Sequence, residues 1–122
     1  MPHVHDAVVR RLAAACRTGE VVAIGTVLDP DAVAVCDGGG CVPAPLRPVH
    51  GAAEVARLLH ALLPGAELTI ESVNGRAGLA IRRAGTAVAV IAVSCAGERA
   101  TILWVVLHPA KLRGWHRPSS AT

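Results

Sequence analysis

Aromatic side chains are nearly missing from this chain: it has no Phe and no Tyr, and Trp104 and Trp115 make up the whole 2%. A core without them must be built from Ala, Val, Leu and Ile, with little stacking surface left for ligands. Binders of single-stranded nucleic acid normally need aromatic platforms for the bases, so the scarcity argues against that class. Long hydrophobic runs are missing too. The apolar fraction is 52% and the mean hydropathy +0.48, yet no stretch approaches the ~20 residues of a membrane helix. The longest run, Thr86 to Cys95, is strand-sized and lies between Gly85 and Gly97. Met1-Pro2-His3-Val4-His5-Asp6 lacks the basic flank and apolar block of a secretion signal, which predicts a cytoplasmic protein. Zinc spacing is absent as well, since Cys16, Cys36, Cys41 and Cys95 form no C-x-x-C pair.

What is present fits a single domain over residues 1–122, long enough to bury a core. The net charge is +3, spread over scattered arginines. Lys111, Arg113, His116 and Arg117 make the one basic cluster, expected as a solvated tail rather than a nucleic-acid contact. Both ends, about 1–5 and 114–122, are expected to fray, which leaves His3 and His5 poor metal ligands. No metal and no cofactor is expected. Cys36 and Cys41 flank a glycine turn and are expected as free thiols in a reducing compartment.

The periodicity changes along the chain. Val8, Val9, Leu12, Ala13 and Cys16 recur at helical spacing, predicting a helix over Asp6 to Arg17 with Asp6 as its N-cap. A short second helix is expected over Glu20 to Leu28, broken at Asp29-Pro30-Asp31. Ala32 to Cys36 reads as a buried strand. Val42 to Val49 holds prolines that allow only an edge strand or an extended loop. A third helix is expected from Ala52 to Leu63, with Val55, Leu58, Leu59 and Leu62 on one face. Strands over 66–73, 79–83, 86–95 and 99–107 follow, with Asn74-Gly75 a strong hairpin signal. Helices followed by antiparallel strands predict an α+β layer architecture, three helices of the N-terminal half packed on a curved antiparallel sheet.

Asp37 ends the first strand and precedes Gly38, Gly39 and Gly40. Two readings stand. Asp37 starts the turn by accepting a backbone N–H two residues on, or it sits at a pocket mouth as a general base whose pKa is raised by apolar neighbours such as Val33 and Val35.

Several runs resemble one known family. Thr18-Gly19-Glu20, Leu28-Asp29-Pro30-Asp31-Ala32-Val33 and Asp37-Gly38-Gly39-Gly40 are similar to the opening of the SnoaL-like domain appended to sigma factors of the sigma factor J type. Pro48-Val49-His50-Gly51, Val55-Ala56-Arg57-Leu58-Leu59 and Val73-Asn74-Gly75-Arg76 resemble its middle. Trp104 to Arg113 resembles its closing strand and tail, with His108 where that motif has Asn. The resemblance spans about Ala13 to Arg113. It implies the nuclear-transport-factor-2-like cone fold, in a free-standing copy without promoter-recognising helices. It also implies a conical pocket, a homodimer through the sheet face, and a hydrophobic small molecule or a transcription-related protein as partner.

Function depends on the site rather than on the fold. Asp37 matches in place the general-base aspartate of ketosteroid isomerases of this fold, with His50, His60 or His108 as possible helpers. Asp37, His50 and His108 are therefore the catalytic candidates, and Trp104, His60 and Val35 the candidate ligand wall. Trp104 shares a strand face with Ile102 and His108 by the period of two, as core filler or as a stacking surface. His60 and His108 have bland alternatives, as an interfacial and a solvent-facing histidine respectively. The oxyanion partners of such isomerases are missing, since there is no Tyr and no acid within 86–95. The Asp-Arg-Asp set of cone-fold epoxide hydrolases is not evident either. Glu67 and Glu71 alternate with apolar residues and are expected to face solvent or a dimer interface. The sequence thus predicts a pocket domain without a complete catalytic set. The alternative is a cofactor-independent isomerase, cyclase or hydrolase using Asp37.

Overall fold

The structure, a computed structural model, describes residues 2–39 and 47–117. The order is α1 (Pro2–Thr18), α2 (Val21–Val27), β1 (Leu28–Asp37), β2 (Val49–His50), α3 (Ala52–Leu62), β3 (Glu67–Val73), β4 (Arg76–Arg83), β5 (Thr86–Ala96), β6 (Arg99–Val106) and α4 (Pro109–Leu112), with a 3-10 turn at Arg113–Trp115. The strands form one curved, unclosed sheet in the order β2-β1-β6-β5-β4-β3. The expected α+β architecture is present, with one addition: β1 and β6 run parallel while the other neighbours are antiparallel. No tight turn joins β1 to β6, so nothing local imposes an antiparallel direction on them.

Burial follows the sequence periods. Val8, Val9, Leu12, Ala13 and Cys16 of α1 are buried, as are Val55, Ala56 and Leu59 of α3. They pack on one face of the sheet through Ala32, Ala34, Leu79, Ile81, Ile91, Leu103 and Val105, all 0% exposed. These side chains form the main apolar cluster between helices and sheet. The opposite, outer face holds a smaller cluster, in which Leu112 and Trp115 pack with Val73, Ala80, Ala87 and Val90.

The ends differ from expectation. α1 starts at Pro2, so Asp6 lies inside the helix rather than capping it. Proline at a helix start is tolerated because its missing N–H has no partner there in any case. The first turn is also held, since buried His5 bonds the carbonyl of Ala77 on β4. The other end folds back over the outer face of the sheet. Arg117 N–H donates to Gly85 O at 2.7 Å, and Ala87 N–H donates to His116 Nδ1 at 2.9 Å. Leu112 and Trp115 anchor this segment as a strap, while Lys111, Arg113, His116 and Arg117 stay exposed, as expected of the basic cluster.

β1 is longer than the expected Ala32–Cys36 and takes in Pro30. Its register with β6 shifts between Leu28 and Val33, an irregularity of the kind that admits a proline into a strand. Asn74 and Gly75 both have positive φ, 54° and 82°, as a two-residue primed hairpin turn requires. Cys41 and most of the proline-rich stretch lie outside the described residues.

Candidate functional site

Asp37 is placed by the pleat of β1. Ala32, Ala34 and Cys36 point to the helices, so Val33, Val35 and Asp37 point to the outer face. There the Asp37 side chain is 40% exposed, and its Oδ2 accepts from Lys111 Nζ at 2.6 Å. Oδ1 accepts the Gly39 N–H at 3.0 Å, the side-chain turn that the sequence allowed. The Lys111 hydrogen bond, more than any other influence, holds the Asp37 carboxyl below the usual carboxylate range. The raised pKa expected of a general base is therefore corrected. Val33 and Val35 do not shield the carboxylate, because Val35 is itself 37% exposed.

The candidate partners are not assembled around Asp37, with the exception of His108. That residue caps α4, accepting the Ala110 N–H on Nδ1 at 3.3 Å. Its ring lies so close to Gly39 that any Cβ there would collide with it. His50 is exposed on β2 opposite Val33, about 13 Å along the strand direction from Asp37. His60 is on α3, in a cleft of about 330 Å³ with Cys16, Arg17 and Leu68. Trp104 is not core filler. It lies 42% exposed on the outer face between Val35 and Ala92, beside a cleft of about 470 Å³ with Val73 and Ser94.

A cleft of about 640 Å³ lies between the start of α1 and the β3–β4 hairpin, lined by His5, Asp6, Ile70, Ser72, Arg76 and Ala77 among others. Its chemistry centres on His5, which is 4% exposed. His5 Nε2 is 2.8 Å from Ala77 O, and Nδ1 is 3.0 Å from Arg76 Nη2. A guanidinium only donates, so Nδ1 accepts and Nε2 carries the proton. Cys95 Sγ stands 3.6 Å from the same Nδ1. Burial raises the Cys95 pKa, so the group is a neutral thiol. The sequence reading missed this cluster because it treated the first residues as frayed.

A second cluster was also missed. Glu71 does not face open solvent: Oε2 accepts from buried Arg82 Nη1 at 2.5 Å, and Oε1 lies 3.3 Å from Arg117 Nη2. Arg82 further donates to Thr69 Oγ1 and to Trp115 O. The Arg82 hydrogen bond, helped by Thr69, pulls the Glu71 pKa down to about 2. Among the described residues no group of three His, Cys, Asp or Glu is placed to hold a metal, and no helix is long and apolar enough to cross a membrane.

No protein-family model matches the chain, and neither does any curated protein. Solved structures do. The Mycobacterium tuberculosis extracytoplasmic-function sigma factor SigJ aligns at 26% identity and a TM-score of 0.69, over 91% of this chain. The chain spans only 44% of that sigma factor's length. A nuclear-transport-factor-2-like protein from Burkholderia xenovorans LB400 aligns at 17% identity and a TM-score of 0.62, over 96% of this chain and 98% of its own. A putative ketosteroid isomerase from Kribbella flavida aligns at 11% identity and a TM-score of 0.62, over 86% and 78%. The chain has the SnoaL-like, nuclear-transport-factor-2-like fold, and a sigma factor is among the proteins it resembles across that fold.

Proposed function

We propose that the chain is a binding module of regulatory type, taking a small apolar molecule, and not a general-base catalyst. One observation supports this most: Asp37 is paired with Lys111 on the sheet face away from the helices. A carboxylate held ionised in water beside an ammonium is a weak base, and among the described residues no oxyanion donor is assembled around it. The cleft beside His5, with a volume usual for small-ligand sites, supports the binding half of the reading.

The partner proposals follow from the outer face. A second copy of the chain is the proposed occupant of the row formed by Val35, Trp104 and Ala92. The resemblance to a sigma factor supports a transcription-related protein as a further partner. The proposed compartment is the cytoplasm, supported by the free thiols of Cys16, Cys36 and Cys95.

The test assays isomerisation of β,γ-unsaturated ketones to their conjugated α,β isomers, the proton transfer from Cα to Cγ that a carboxylate base would perform, together with a small-molecule binding screen followed by NMR. Binding without turnover, and equal binding by Asp37→Asn, is the expected result. Turnover that disappears in Asp37→Asn would overturn the reading and restore the catalytic alternative.

A further inference from the structure

We propose that the cleft between α1 and the β3–β4 hairpin takes an apolar monocarboxylic acid, with Arg76 as the fork that grips the carboxylate. The inference rests on the binding-module reading and names its site and ligand class.

Arg76 has the right chemistry and the right restraint. None of the ion pairs among the described residues involves it, so its charge is not already neutralised. His5 Nδ1 accepts only one N–H of Nη2, at 3.0 Å. Whichever Nη2 proton His5 takes, the other still forms a parallel pair with an N–H of Nη1 or Nε, the geometry a carboxylate accepts, and no other hydrogen bond among the described residues uses those groups. His5 in turn is fixed by its bond to Ala77 O and by burial. A long cationic side chain is thus held at its tip before any ligand arrives, which reduces the ordering cost of binding.

The rest of the lining selects the ligand. Ile70 points to the helix side of β3 but is 37% exposed, and with Ala77 it offers an apolar wall. Glu71 touches the same cleft, but its charge is met by Arg82 and Arg117. Asp6 also lines the cleft and enters no ion pair among the described residues. One available guanidinium facing one acid accommodates a single negative charge better than a dianion, since a like charge nearby opposes the second. A volume of about 640 Å³ suits a compact acid rather than a folded partner.

The experiment titrates the full chain with sodium octanoate, 1-naphthoate, 1-octanol and octyl phosphate, following ¹H–¹⁵N signals that include the Arg76 side chain. Either acid should shift His5, Ser72 and Arg76, and should bind about tenfold or more tightly than 1-octanol. Arg76→Ala should lose that advantage, and Arg76→Lys should keep only part of it. A dispersed spectrum for each variant shows that the fold is intact. Equal binding of octanoate and octanol, shifts confined to another surface, tighter binding of octyl phosphate, or full affinity in Arg76→Ala would each overturn the proposal. If neutral apolar compounds bind here and acids do not, the binding-module reading stands while the carboxylate inference fails. If no compound in the binding screen binds, both fail.

Discussion

A charge is as strong as its surroundings allow, and the carboxylates of this chain show both extremes. Asp37 faces water and an exposed lysine, whereas Glu71 faces a guanidinium that is only 8% exposed. Removing one partner of a buried pair leaves the other charge uncompensated, which is the costly case. Glu71→Gln should therefore destabilise the protein at pH 7 by far more than Asp37→Asn, as read by urea unfolding. The pH sign is fixed by the depressed Glu71 pKa of about 2. Its contribution is fully present above the unfolded value near 4.5 and is lost as pH falls toward 2. Wild type and Glu71→Gln should converge in stability across that window. If their difference stays constant from pH 7 to pH 2, the assignment is wrong.

The hairpins show how local chemistry sets the elements. Asn74-Gly75 and Ala84-Gly85 adopt matching backbone conformations, with φ of 54° and 82° in one and 51° and 83° in the other. Asparagine tolerates the left-handed region and alanine does not, at a cost of roughly 1–2 kcal/mol. Ala84→Asn should thus raise stability by about 0.5–1 kcal/mol, seen as a higher urea midpoint at unchanged slope. The same hairpins show what the sequence could and could not reveal. Asn74-Gly75 fixes the β3–β4 register, and that register alone places Thr69, Glu71 and Arg82 on one face. The polar network was therefore legible in principle, and it was missed because Arg82 was read as one arginine among many. Asp37 was recognised as a turn starter, and its Gly39 bond matches. Its pairing with Lys111 was not legible, because it crosses 74 residues and depends on the strap folding back. β1 against β6 is hidden for the same reason: periodicity reports which face a residue takes, not which strand lies beside it.

At the scale of the molecule, two unequal apolar clusters share one sheet. The larger is closed by three helices, while among the described residues the smaller is covered by little more than Leu112 and Trp115 of the strap. The rest of that outer face leaves Val35 and Trp104 in water. If a second copy covers this row, Trp104→Glu should convert a dimer to a monomer in sedimentation velocity while leaving the circular dichroism spectrum unchanged. A wild-type chain that sediments as a monomer at high concentration would remove the dimer proposal. Leu103→Ala, on the opposite face, should instead cost about 2–5 kcal/mol of stability.

The scarcity of aromatics gives this architecture an optical consequence. With no Tyr, all near-ultraviolet emission comes from two indoles, Trp104 at 42% exposed and Trp115 half-buried within the strap itself. Trp104 should emit to the red and Trp115 to the blue, so a single spectrum separates events on the bare part of the face from lifting of the strap. The protein is in effect a two-channel fluorescent reporter of its own outer surface, and needs no label.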